Sequence, residues 1–157
     1  MRIPVFSVDP IESSVIKSGL KMSFETGLAA YLVAETLASE QLKLGMSAII
    51  DAVSPVEVSR DMWRTLSKKR SAELIVIECV LDPALHEKRI EARVRAMHGI
   101  PEVTWADVEA RRKEFVPWNE ERLIVDTSED EERTLTQALA YISSGGAKRS
   151  KNATMTP

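Results

Sequence analysis

Residues 73–80 read ELIVIECV, the strongest strand signal in the chain, because apolar residues, most of them β-branched, occupy six of its eight positions. Such a run is typical of a parallel strand that is covered on both faces. Shorter apolar runs at residues 3–8, 46–50 and 123–125 predict three more strands. Because helix-forming segments separate these runs, the sequence predicts an α/β fold in which a parallel sheet is wrapped by helices.

Six helices are predicted from capping residues, apolar periods and glycine stops. They cover about residues 9–18, 24–44, 54–69, 82–98, 104–116 and 128–143. Asp9, Ser54 and Ser128 are the expected caps of the first, third and last of these helices. Residues 144–157 are polar and basic with no apolar period, which predicts a disordered tail after a domain at residues 1–143.

Composition narrows the classes of protein that fit. With 157 residues, 44% of them apolar, the chain can form one core and shows no sign of a second domain. A net charge of -3 argues against nonspecific binding of nucleic acid. The single cysteine, Cys79, excludes internal disulfides and fits a reducing cytosol. No leader-like start and no apolar run of about 18 residues is present, so we expect a cytoplasmic protein without a membrane partner.

Three carboxylates follow predicted strands, at the edge where open α/β sheets bind ligands: Asp9, Asp51 and Asp126. A carboxylate there can hold Mg²⁺ or accept a hydroxyl proton. Asp9 has an alternative role as a helix cap, and Asp126 has one as a turn residue. The predicted cap after Asp51 is Ser54, so capping does not account for Asp51. Asp51 is therefore the strongest of the three candidates.

Arginines form the second set of candidates. Arg89 and Arg93 lie four residues apart on one face of a predicted helix, whereas Arg95 points elsewhere. Two guanidinium groups on one face can bind phosphoryl oxygens, although a solvated face paired with nearby glutamates is the alternative. Arg111 and Arg112 lie on the next helix. The arginines on the two helices bracket a loop that resembles a lid.

Five segments together carry a family resemblance. They are VFSVD at 5–9, YLVAETLASEQLKLGMSAIIDA at 31–52, LIVIECVLDPALHEKRIEAR at 74–93, FVPW at 115–118 and LIVDTS at 123–128. In this order they resemble the AAA-like P-loop small-molecule kinases, with gluconate kinase, chloramphenicol phosphotransferase and the kinase part of polynucleotide kinase as relatives. The similarity covers residues 3 to about 143, and its motifs are loose patterns.

The resemblance implies ATP-dependent phosphoryl transfer to a hydroxyl, with ATP and Mg²⁺ as cofactors. By this resemblance Asp9 faces the phosphoryl acceptor, and Asp51 helps to hold the Mg²⁺ ion. Arg89 and Arg93 correspond to lid arginines that neutralise the transferred charge. The residues placed on the nucleotide side are Arg112, Asp126 and Thr127.

The departure from this family lies at the start of the chain. The six glycines, at positions 19, 27, 45, 99, 145 and 146, never form G-x-x-x-x-G-K-[ST], the loop that cradles nucleotide phosphates. In the family, a strand, this loop and a helix precede the residues that match Arg2, and that strand lies between the strands matching 46–50 and 73–80. Without the strand the sheet would have open edges, so we expect low stability of the monomer. Without the loop we expect weak ATP binding.

Three interpretations remain open. The chain is a kinase whose true start lies roughly thirty residues upstream of Met1, with a small-molecule or nucleotide acceptor as its partner. Alternatively, it has lost ATP hydrolysis and keeps a phosphate-binding or protein-interaction role, with a partner strand completing its sheet. The third interpretation, a nucleic-acid-binding domain, is disfavoured by the negative net charge of the chain. Open sheet edges also leave room for a homo-oligomer.

Overall fold

The computed structural model describes residues 3–145, so most of the predicted tail, from residue 146 onward, lies outside the described residues. The described chain is α/β with parallel strands and six helices, as the sequence predicts. Its elements are β1 (Val5–Ser7), α1 (Val8–Lys17), α2 (Phe24–Lys43), β2 (Ile49–Asp51), α3 (Glu57–Arg70), β3 (Ile77–Val80), α4 (Pro83–Ala92), α5 (Trp105–Glu114), β4 (Leu123–Asp126) and α6 (Glu131–Ser143). Within residues 3–145, no helix is both long and apolar enough to cross a bilayer.

The strands form two parallel pairs, where the sequence predicts one parallel sheet that lacks the strand between the strands at 46–50 and 73–80. β1 pairs with β2, with Ser7 opposite Asp51, and β3 pairs with β4, with Val80 opposite Asp126. All four strands are short, at three or four residues. β3 was expected to be covered on both faces, but its residues are half-buried or exposed, and Cys79 is exposed. That expectation was wrong because β3 makes its main contacts with β4 along one edge, and no described helix packs extensively on either of its faces.

The chain divides into two compact units. Unit 1 contains Val94–Val116 and the described part of Met1–Ala72, and unit 2 contains Glu73–Arg93 and the described part of Pro117–Pro157. Unit 1 therefore holds β1, β2, α1, α2, α3 and α5. Unit 2 holds β3, β4, α4 and α6.

A stripe of small residues on α2 forms the centre of unit 1. Thr26, Ala30, Ala34 and Ala38 are buried, four residues apart, where α2 packs on α1, β1 and β2. Small side chains let the helix axis approach its neighbours closely. The apolar period of the sequence places Phe24, Leu28, Leu32 and Ala38 on one side of the helix. Of these, Ala38 is buried, but Phe24, Leu28 and Leu32 are 80%, 45% and 47% exposed, so the buried side is the one with the small residues.

The start of α3 differs from its predicted capping box. Val56 is the N-cap, with no side-chain cap bond, and Ser54 is buried with a φ of 43°. Ser54 lies two residues before this N-cap, and its hydroxyl accepts a hydrogen bond from Trp63 Nε1 at 3.0 Å. The backbone N–H of Ser54 donates to the Tyr31 hydroxyl at 3.2 Å. The loop after Asp51 is therefore fixed from several sides.

Two other predicted caps have different roles in the structure. α1 begins at Val8 with Ser7 as its N-cap, so Asp9 lies inside the first helical turn and does not cap. Asp130, in place of Ser128, caps α6 by accepting from the N–H of Arg133 at 3.3 Å. The predicted cap at Thr104 is confirmed, as part of a capping box at the start of α5.

α4 is shorter than predicted, because it ends at Ala92 where the sequence indicates a helix to residue 98. Arg93 is already extended, with a ψ of 135°, and Ala96 has a φ of 50°. The Glu102 carboxylate accepts hydrogen bonds from the backbone N–H groups of Arg95 and Ala96, at 2.8 and 2.9 Å. These bonds replace the ones that a continuing helix would make, which explains why the helix stops.

Candidate functional site

Asp51 lies at the carboxyl end of β2, and its carboxylate is oriented from the neighbouring strand. Ser7 ends β1 directly opposite Asp51, and its hydroxyl donates a hydrogen bond to Asp51 Oδ2 at 2.8 Å. This bond leaves Oδ1 of the exposed Asp51 open to solvent or a ligand. The parallel register of the two strands thus sets a hydroxyl and a carboxylate side by side at one sheet edge.

Asp9 lies two residues after Ser7 and carries the second carboxylate of this edge. Its side chain is 52% exposed and forms an ion pair with Arg95, in which Arg95 Nη1 donates to Asp9 Oδ2 at 2.6 Å. The sequence singles out Arg89 and Arg93, and gives Arg95 no part in the site. The structure nevertheless brings Arg95 to the predicted acceptor carboxylate.

Arg95 is held between two carboxylates in unit 1. Its side chain is only 12% exposed, and Nε lies 3.7 Å from Glu102 Oε2. That separation is too long for a hydrogen bond, and Nε is buried without a hydrogen-bond partner among the described residues. Arg95 therefore has one strong partner, Asp9, and one unused donor.

Arg60 is a buried cation beneath the loop that follows Asp51. It is fully buried, and its Nε donates to the Ser54 carbonyl at 3.0 Å while Nη2 donates to the Val116 carbonyl. Its guanidinium carbon lies 5.0 Å from the centroid of the Phe115 ring. Arg60 thus ties the start of α3 to the chain segment that follows α5. The sequence gives one signal of this burial, since Arg60 lies three residues before Trp63 on the same side of α3.

Three of the predicted site residues come together in unit 2. Arg89 Nη1 donates to the Thr127 carbonyl at 3.0 Å, next to Asp126 at the end of β4. Thr127 is fixed in turn, because its hydroxyl and its N–H both donate to the Val80 carbonyl, at 3.0 and 2.9 Å. Arg93 does not share a helix face with Arg89 as predicted, because α4 ends one residue before it.

The carboxylate of Asp126 is stabilised in its charged form. Backbone and side-chain hydrogen bonds from Ser128, with a smaller contribution from the charge of Arg89, hold the pKa of Asp126 below its usual value. The Ser128 N–H lies 2.9 Å from Asp126 Oδ1. Because the folded pKa is lowered, the stabilising effect is present above the unfolded pKa and is lost as the pH falls through the folded value.

Replacement of Ser128 is expected to raise the pKa of Asp126 in two steps. Ser128→Ala removes the side-chain hydrogen bond and should raise the pKa in part. Ser128→Pro also removes the backbone donor and should return the pKa nearly to its unfolded value. Carboxyl ¹³C NMR titration measures both steps. An unchanged pKa in the proline variant would show that Ser128 does not stabilise the charged carboxylate.

Arg111 and Arg112, the two remaining predicted lid arginines, lie on α5 in unit 1. Arg111 pairs with Glu114 at 3.5 Å, and both side chains are 61% exposed. Arg112 is exposed, and its guanidinium carbon lies 5.1 Å from the centroid of the Trp105 ring. The contact with the aromatic ring orients Arg112 without neutralising its charge.

The residues around Asp51 meet part of what a magnesium site requires. Within residues 3–145, no three His, Cys, Asp or Glu side chains are grouped so as to hold a metal ion. Mg²⁺ bound with a nucleotide, however, takes one or two protein carboxylates and draws its other ligands from phosphates and water. Asp51, with the Ser7 hydroxyl at 2.8 Å, offers a donor set of that kind.

Comparison with known proteins identifies the fold. No protein-family profile matches the sequence, and no curated protein is significantly similar to it. A crystal structure of a provisionally assigned kinase from Chloroflexus aurantiacus J-10-fl superposes with a TM-score of 0.68 at 22% identity, covering 88% of this chain and 83% of that one. An unliganded sugar kinase from Janibacter sp. HTCC2649 gives 0.61 at 13% identity, covering 90% and 80%. The chain therefore has a kinase-like fold.

Proposed function

We propose that this chain is the acceptor-binding and lid part of an ATP-dependent phosphotransferase of the P-loop type. The observation that carries the proposal is the pair of exposed carboxylates, Asp9 and Asp51, that follow two parallel strands in a kinase-like fold. Ligands of α/β sheets bind at this edge. The substrate is a hydroxyl of a small molecule or a nucleotide.

Each residue has a chemical role in this proposal. Asp9 orients the acceptor hydroxyl and takes its proton as the oxygen attacks the γ-phosphorus of ATP, while the bond from that phosphorus to ADP breaks. Asp51, with Ser7, would hold Mg²⁺, which supplies positive charge against the phosphoryl oxygens. The resemblance to P-loop kinases assigns charge neutralisation to Arg89 and Arg93, and the nucleotide side to Arg112, Asp126 and Thr127. Within unit 2, the contact of Arg89 with the Thr127 carbonyl supports a common role for Arg89, Asp126 and Thr127.

The phosphate loop would come from a segment upstream of Met1. We infer a strand, a glycine-rich loop and a helix of roughly thirty residues in total, the length that such a motif requires. One observation supports this inference. Each described sheet has only two strands, so each keeps open edges.

Calorimetric titration with Mg-ATP tests the proposal. The chain of 157 residues should show no micromolar binding, because it has no loop to cradle the phosphates. A chain extended by the in-frame upstream sequence should bind Mg-ATP in the micromolar range, and Asp51→Asn in that longer chain should weaken binding about tenfold or more. Micromolar binding by the 157-residue chain would contradict the inference that a phosphate-loop segment is missing from it. An in-frame stop codon immediately upstream, or an extended chain that does not bind ATP, would refute the proposed kinase function.

A second candidate function is a phosphate-binding or protein-interaction module without catalysis. It is favoured by one observation, the absence of a G-x-x-x-x-G-K-[ST] loop from the whole sequence. In this case a strand from another protein would complete the open sheet edges. The same titration separates the two candidates, because only the kinase gains ATP affinity when its own upstream sequence is added.

A further inference from the structure

The segment between α4 and α5 lies along one face of α1. Three residues of α1, Asp9, Ser13 and Ile16, are spaced four and then three residues apart and so share one face of the helix. Each of them contacts the segment 95–99, which we call the strap. The strap and α1 both belong to unit 1.

The three contacts follow the same order along both segments. Arg95 Nη1 donates to Asp9 Oδ2 at 2.6 Å, and the Ser13 hydroxyl donates to the His98 carbonyl at 3.0 Å. Gly99 packs directly on Ile16, since a Cβ added at Gly99 would lie 2.3 Å from Ile16 Cγ2. One ion pair, one hydrogen bond and one apolar contact therefore fasten the strap to the helix.

The ion pair occupies the carboxylate that the kinase proposal assigns to the acceptor. A hydroxyl substrate needs an Asp9 oxygen as its hydrogen-bond acceptor, and Arg95 already donates to one of them. The Glu102 carboxylate fixes the backbone of Arg95 and Ala96 in the geometry that presents this side chain. Arg95 also keeps its Nε donor free of hydrogen bonds among the described residues, so the guanidinium can take a new partner when it leaves Asp9.

We propose that the strap is a latch on the acceptor site, in which Arg95 holds Asp9 Oδ2 until an acceptor hydroxyl takes the place of the guanidinium on that oxygen. The inference rests on the proposed kinase function for the meaning of the site. The contact between Arg95 and Asp9 is itself a property of unit 1 alone. An acceptor would then free the strap in the same step in which it binds Asp9, so acceptor binding and movement of the strap are linked.

Two measurements on the 157-residue chain test the latch without ATP or an acceptor. Carbodiimide labelling with glycine ethyl ester, followed by mass spectrometry, reports access to Asp9. Arg95→Gln should increase labelling of Asp9 several-fold relative to Asp61, an exposed carboxylate on α3. Hydrogen exchange of the peptide covering residues 94–103 reports strap opening, and should become about fivefold faster in Arg95→Gln and in Asp9→Asn.

The double variant Asp9→Asn/Arg95→Gln and a control sharpen this test. If the two residues act through one contact, the double variant exchanges no faster than either single variant. Arg111→Gln removes an exposed ion pair on α5 and should change neither measurement. Unchanged Asp9 labelling in Arg95→Gln, or additive effects of the two substitutions on exchange, would overturn the latch. Failure of the ATP titration would remove the kinase function and leave these results unaffected.

Discussion

Replacement of Arg60 by methionine should lower the free energy of unfolding by about 3 kcal/mol. Methionine fills most of the volume but offers no donors, so the carbonyls of Ser54 and Val116 lose their partner at Arg60. Each buried polar group left unsatisfied costs about 1–3 kcal/mol. The contact with the Phe115 ring, at 5.0 Å, is lost as well. Urea denaturation followed by circular dichroism measures the change.

The matched control for Arg60→Met is Arg111→Gln. Arg111 and its partner Glu114 are both 61% exposed, so the loss of this pair should change stability by no more than about 0.5 kcal/mol. Arg60→Lys keeps the charge but loses the planar fork, and it should fall between the two. If Arg60→Met were as mild as the control, the buried cation would not be what joins the loop after Asp51 to the segment after α5.

Local signals in the sequence predict much of the fold. The long apolar period and glycine stop of α2 and the capping pair at Thr104 and Asp107 both give helices that the structure contains. Caps fail where a distant partner competes for the side chain. Ser54 has the sequence pattern of a cap, but the indole of Trp63 takes its hydroxyl. No local pattern encodes that competition.

The residues of the candidate site also divide into those with a local sequence signal and those that depend on distant partners. The positions of Asp9, Asp51 and Asp126 near strand ends could be predicted because the carboxyl ends of strands are recognisable from apolar runs alone. The partners of Arg95 and Arg60 could not, because these contacts bridge sequence separations of 86 residues to Asp9 and 56 residues to Val116. The end of α4 is an intermediate case, since it depends on Glu102, seven residues beyond Arg95.

Gly99→Ala should release the strap from α1. The new methyl group would lie 2.3 Å from Ile16 Cγ2, and the φ of 70° at this position costs an alanine about 1–2 kcal/mol. The clash adds about 1–3 kcal/mol if the strap stays in place. Lifting off α1 avoids the clash, so exchange of the peptide covering residues 94–103 should accelerate at least about tenfold, which corresponds to about 1.4 kcal/mol.

The substitution Ile16→Ala separates the two causes of strap release. Ile16→Ala alone removes a side chain that is 8% exposed and should destabilise unit 1 by about 2–5 kcal/mol. In the double variant Gly99→Ala/Ile16→Ala the clash with Cγ2 is gone, and only the backbone cost remains. The double variant should therefore cost less than the sum of the single variants, with a coupling of about 1 kcal/mol or more. Simple additivity would mean that Gly99 is required for its backbone angle alone, and that the strap does not depend on its close approach to Ile16.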